Sequence, residues 1–142
     1  MKKTKLDNLI SQIEFYIENW KQLNHFINLA RERRESQDKK LFSHEEENQF
    51  LDVKSLLAQQ LESIFSFFPE ETPPINREEI FNVITPLTSL RSIVEINEGT
   101  LRGIENQWHK IFIQLQSILG QLKVQQRETK SKSFFSIFSK KK

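Results

Sequence analysis

Residues Leu87–Gln125 read LTSLRSIVEINEGTLRGIENQWHKIFIQLQSILGQLKVQ, and their spacing decides the fold. Positions seven apart hold Leu87, Val94, Leu101, Trp108, Leu115 and Leu122. A second set, three residues later, holds Leu90, Asn97, Ile104, Ile111, Ile118 and Gln125. Ten of these twelve positions are apolar, which is a 3.5-residue repeat and predicts an α-helix with one buried seam. Ile93, Phe112 and Leu119 widen that seam beyond a two-stranded contact, as in a bundle of three or more helices. As one helix the stretch would run roughly 57 Å. Gly99 and Gly103 sit within it, and in a solvated helix each costs about 1 kcal/mol relative to Ala. A close helix crossing or a local bend would offset that cost. Asn97 on the seam either fixes register or faces water.

The same period extends toward the N-terminus. Leu6, Leu9, Ile10, Ile13, Tyr16, Ile17, Trp20, Leu23, Ile27 and Ala30 predict a helix from about Thr4 to Glu35, uninterrupted by Pro or Gly. Phe15, Phe26 and Leu29 project nearly opposite its seam, so this helix is either central in its bundle or turned toward a partner. Ser36–Phe42 reads as a polar turn. Ser43 with Glu46 forms a capping-box signature, and Glu45–Glu47 supply negative charge to the first helical turn. The second helix then spans about His44 to Phe67 and stops at Pro69. Asn76 caps a short third helix that carries Ile80, Phe81 and Ile84. At Thr85-Pro86 the chain either kinks or breaks, and a break with Pro86 at the first position of a new helix is favoured.

Composition narrows the class. The chain has 142 residues, enough for one ordinary domain. With 3 Gly and 4 Pro it is too poor in turn formers for a mostly β fold. The absence of Cys removes disulfides, thiolate nucleophiles and Cys-held metals, and suits a reducing compartment. No apolar run approaches the length of a membrane-spanning helix, and Asp7, Glu14 and Glu18 interrupt any signal-peptide pattern.

Charge is uneven. Residues 127–142, RETKSKSFFSIFSKKK, hold six bases and one acid, net +5, which leaves residues 1–126 at −3 within a total of +2. The body is therefore mildly acidic, and its mixed cluster of Arg31, Arg33, Arg34, Lys39 and Lys40 with Glu32, Glu35 and Asp38 reads as a solvated helix end. A nucleic-acid track would carry an unmixed basic face. In the tail, Phe134, Phe135, Ile137 and Phe138 lie between Lys130/Lys132 and Lys140, Lys141 and Lys142. On a helix Phe134, Ile137, Phe138 and Lys141 share one side. Basic groups around short apolar clusters suit an anionic membrane surface, where rings enter the headgroup boundary and lysines stay at the phosphates. A groove on a partner protein, or the chain's own bundle, would take the same face. Ser131, Ser133, Ser136 and Ser139 lie among these groups, where phosphorylation would weaken attachment to an anionic surface.

Signatures of chemistry are sparse. His25, His44 and His109 fall in no metal-binding spacing, and the paired Glu-x-x-His of di-iron bundles is missing. Gly99-x-x-x-Gly103 leads into Ile104 rather than Lys-Ser/Thr, which excludes a phosphate-binding loop. Arg102 and His109, six residues between them, resemble the Arg-x4–6-His ribonuclease motif of HEPN domains, with Gly103 where that pattern prefers a polar residue. The resemblance covers eight residues and implies a helical RNA-acting enzyme as a remote alternative.

The expected protein is all-α: an elongated antiparallel three- or four-helix bundle with heptad-like packing over residues 1–126, followed by a basic, Phe-rich tail. The expected function is that of a non-enzymatic cytoplasmic adaptor or scaffold, without cofactor, metal or small-molecule substrate. Its bundle binds a protein partner or a second copy through Phe15, Phe26 and Leu29, and its tail meets an anionic lipid surface at the inner face of a membrane. The main alternative is a soluble interaction module whose tail docks on a protein.

Overall fold

A computed structural model describes residues 3–36 and 42–140, with only the backbone described from residue 131 onward. The described residues form five helices and no strand: α1 (Lys3–Glu35), α2 (His44–Phe65), α3 (Arg77–Ile84), α4 (Leu90–Glu95) and α5 (Glu98–Lys140). Helix α1 is central. Helices α2, α4 and α5 pack on it, and α3 packs on α5. Gln12 meets Ser63, Asn19 meets Gln60 and Phe26 meets Phe50, so α1 and α2 are antiparallel. Asp7 meets Gln126, Glu14 meets Lys123 and Arg31 meets Glu98, so α1 and α5 are antiparallel as well.

Central placement explains the broad apolar face of α1. Twelve of its residues are buried, from Leu6 to Ala30, and Phe26 is among them. Helix α5 needs only a stripe: Leu101, Ile104, Trp108, Ile111, Leu115 and Leu122 are buried, and Gln125 is exposed. The two longest helices lock through their tryptophans. The Trp20 and Trp108 rings stack within 2° of parallel, 6.3 Å apart. Trp20 Nε1–H donates to the Trp108 carbonyl at 3.1 Å, and Trp108 Nε1–H donates to the Trp20 carbonyl at 2.8 Å. Each buried indole donor is thereby satisfied, which burial of a tryptophan requires.

Helix starts follow the local sequence. Ser43 Oγ accepts the Glu46 N–H and the Glu46 carboxylate accepts the Ser43 N–H, completing the capping box at α2. That second bond holds the Glu46 carboxyl below its usual range, since only the ionised form accepts it fully. Asn76 Oδ1 accepts the Glu78 N–H at the start of α3. Helix α2 ends at Phe65, and Phe67 and Phe68 lie in the turns that follow rather than in the helix.

The stretch read as one helix from Leu87 is two. Helix α3 ends at Ile84, Pro86 lies in a turn, and α4 starts later, capped by Ser89. Ile96 is extended, and Asn97 Oδ1 accepts the Thr100 N–H at the start of α5. Asn97 therefore occupies a seam position because it caps a helix, not because it fixes a register. The break accounts for Gly99, which falls in the first turn of α5; Gly103 lies inside α5 with open space where a Cβ would point, so no close helix crossing offsets its cost. The described residues thus form five helices instead of the expected three or four, and the expected 126/127 boundary falls inside an unbroken α5.

Candidate functional site

The basic cluster at the end of α1 is an interhelix clamp. The Arg34 guanidinium donates to the backbone carbonyls of Ile93, Val94 and Ile96 at the end of α4; the Ile93 carbonyl also accepts the Ile96 N–H, whereas those of Val94 and Ile96 are orphan acceptors. It also meets Glu98 at 3.3 Å. Arg31 pairs with Glu98 and Glu105, and its hydrogen bond to Glu105 raises its pKa further, so it is cationic throughout the accessible range. From the other side, the Glu47 carboxylate accepts the Leu90 N–H at the first turn of α4. A six-residue helix is too short to persist alone. Here both its ends are held by charged groups of α1 and α2, and Leu90 and Ile93 are fully buried. The expected solvated end is corrected to a clamp for Arg31 and Arg34; Asp38, Lys39 and Lys40 lie outside the described residues.

The three residues expected on a second face of α1 separate. Phe26 is buried, edge-on to Phe50 at 5.7 Å, and Leu29 is half-buried against the core. Phe15 is 54% exposed. The face closed by α2 takes Phe26 because α1 is central, one of the two arrangements that its sequence allows. Ile113 and Val124 on α5 and Leu51 on α2 are the other large apolar side chains exposed among the described residues.

A trough of about 1050 Å³ opens where α2 ends, beside the start of α3 and the flank of α5. Phe65, Phe68, Pro69, Pro73, Pro74 and Ile75 give it apolar walls. The Pro-rich loop is held by a turn, Thr72 N–H to the Pro69 carbonyl at 3.1 Å, and the prolines fix their own backbone angles. Arg77 lies over the Phe65 ring at 4.9 Å and pairs with Glu62 at 3.2 Å. Residues 62–79 carry five acids and one base, net −4. Gln114 Oε1, on the α5 wall, is buried without a hydrogen-bond partner among the described residues. Sequence reasoning misses this trough, although three prolines and a Glu-Glu pair within six residues mark the loop that forms it.

The tail residues lie at the far end of α5. The backbone stays helical through Lys140, so positions 134, 137 and 138 fall on one helical face by register. The side chains of Lys132, Phe134, Phe135, Ile137, Phe138 and Lys140 lie outside the described set, as do Lys141 and Lys142; Lys130 is exposed. Antiparallel pairing places Gln126 beside Asp7, and α1 begins four residues before Asp7. At equal rise per residue, α5 passes the described start of α1 near residue 130.

Among the described residues no group of three or more His, Asp or Glu side chains is gathered for a metal, and no helix is long and apolar enough to cross a membrane. His25, His44 and His109 are exposed and on separate helices. Arg102 is also exposed, and its guanidinium pairs with Glu98 at 3.4 Å. The Tyr16 hydroxyl is buried without a hydrogen-bond partner among the described residues, and burial pushes its pKa up so that it stays protonated. The chain matches no family model, no curated protein and no solved structure.

Proposed function

We propose that this chain is a protein-interaction module: the bundle fixes α5, and the stretch from Arg127 to Lys140 docks as a helix face into a groove on a partner protein. The observation that supports it is the continuity of α5, one helix of 43 residues that carries the register of Phe134, Ile137 and Phe138 beyond α1. A helix presented this way enters a groove already ordered and loses less conformational entropy than a coil would. Phe15, exposed on α1, supplies a smaller apolar contact on the bundle itself.

The flanking Lys130, Lys132 and Lys140–Lys142 favour a second reading, attachment to an anionic membrane surface, with the bundle as adaptor. A photo-crosslinking residue placed at position 134 of the full chain, expressed in the cells it comes from, separates the two. Docking predicts a discrete protein adduct, lost in Ile137→Ser/Phe138→Ser. Adducts with lipid alone, together with sedimentation on phosphatidylserine vesicles but not on phosphatidylcholine vesicles, would replace docking by the membrane reading. No adduct of either kind would remove both.

A further inference from the structure

We infer that the groove recognised by this helix is the α2–α3 trough of a second copy of the same chain, so that two copies exchange their C-terminal helix segments. This rests on the docking reading and adds the identity of the partner. The trough and the segment are matched in charge: residues 62–79 are net −4 and residues 127–142 are net +5. Glu62 and Glu79 are already engaged by Arg77 and Lys110, at 3.2 Å and 3.4 Å. Glu70 lines the trough and Glu71 follows it in the same loop; both are exposed and make no ion pair among the described residues, which leaves them to meet lysines.

The match extends to apolar chemistry. Phe65, Phe68 and the prolines wall the trough, and the segment offers Phe134, Ile137 and Phe138 at i, i+3 and i+4, the spacing with which a helix fills a groove. On the α5 wall, Gln114 Oε1 is a buried acceptor without a partner among the described residues, placed to receive a donor from an incoming segment. The prolines hold the loop in one shape before anything binds, which lowers the cost of closing on a ligand.

A chain cannot fill its own trough. Gln114 and residue 134 lie on the same unbroken helix, twenty residues apart, so about 30 Å of rigid rise separates them. The segment points away from the trough of its own chain and is available to another. Two such contacts related by a two-fold axis close into a dimer and leave no repeating contact for a filament.

Sedimentation velocity of the purified full chain over a wide dilution series tests the pairing. A monomer–dimer equilibrium is expected, weakened about tenfold or more by Glu70→Lys/Glu71→Lys and again by Lys130→Glu/Lys132→Glu. Combining the two reversals in one chain should restore dimerisation, an outcome that a misfolded variant does not produce. The crosslinker at position 134 should give an adduct of twice the chain mass, with its partner peptide inside residues 62–79. A monomer at every concentration, a dimer indifferent to both reversals, or an adduct mapped outside that segment would overturn the inference. If the purified chain is monomeric while the cellular adduct joins a different protein, self-pairing falls and docking stands. If no protein adduct forms in cells either, both fall.

Discussion

The two ends of this bundle are finished differently. Where α1 terminates, α4 is seated with its first-turn N–H held by Glu47, its last carbonyls held by Arg34, and Leu90 and Ile93 buried beneath. Charge at that end is directed inward, onto other helices of the same chain. Where α1 begins, polar groups face outward. Arg77 and Glu62 form an exposed pair on the rim of a trough, Glu70 and Glu71 face solvent, and α5 continues to Lys140. Similar residue types thus do opposite work. Arginine beside orphan carbonyls closes a fold, whereas a surface Arg–Glu pair adds little stability and leaves the site open to binding.

Unfolding in urea should resolve this contrast most strongly in the apolar layer. Leu90→Ala removes a fully buried side chain at the closed end and should cost about 3 kcal/mol. Phe134→Ser at the other end should stay within about 0.5 kcal/mol when the native and variant chains are both diluted until monomeric, as a position that serves binding rather than folding does. A comparable loss from Phe134→Ser would show that the tail completes the core and would end the docking reading.

The arginines carry the next largest difference. Arg34→Ala leaves the Val94 and Ile96 carbonyls at the end of α4 without their donor and should cost about 2 kcal/mol. Arg77→Ala breaks a pair whose side chains are 48% and 60% exposed, and should change stability by less than about 0.5 kcal/mol. Equal losses from the two would mean that the trough rim, too, is part of the folding core.

Much of this fold is legible in the sequence. The seam of α5, the capping box at Ser43 and the cap at Asn76 are local, and local physics fixes them from residue type and spacing. The break at Asn97 is hidden because an N-cap and a seam position look alike when the residue on either side continues an apolar repeat. Gly99, two residues on, is the available clue. The role of Arg34 is out of reach for a different reason. Its acceptors lie some sixty residues away, and a cluster of mixed charge at a helix end has the same sequence whether it faces water or another helix. Trp20 and Trp108 are readable as buried, but their reciprocal bonds depend on the crossing of α1 and α5. The trough escapes notice because it is built by a loop, and loop walls have no period.

The caps allow a control for the comparison, since one stands at each end. Ser43→Ala and Asn76→Ala should each cost about 1 kcal/mol, regardless of which end they serve. They differ in pH dependence. The folded chain holds the Glu46 carboxyl below its usual range through the Ser43 N–H, so the unfolded chain takes up a proton first as pH falls. The contribution of Glu46 is complete above the unfolded Glu value of about 4.3 and is lost as pH drops through the lower folded value. Chemical denaturation at stepped pH should therefore show the gap between the native chain and Glu46→Gln closing in acid. A gap that widened there would mean that the capping box does not hold the carboxylate in its ionised form.

The smallest expected effects probe whether the outer side of α5 is covered. Gly103 and Gly120 both have nothing near the point where a Cβ would sit, and neither has a positive φ. Alanine at either should then stabilise the helix by about 0.5–1 kcal/mol, because glycine gives up more backbone freedom on folding. Gly103 lies near the closed end, and Gly120 lies toward the open one, between the exposed Ile113 and Val124. If partners meet only the trough and the C-terminal segment, the two substitutions should raise the melting temperature alike and leave the sedimentation behaviour unchanged. If a second copy instead lays a helix across Ile113, Gly120 and Val124, a methyl group at Gly120 would hold the helices apart. Gly120→Ala would then weaken association while Gly103→Ala kept its gain, and the site of self-contact would move from the trough to the flank of α5.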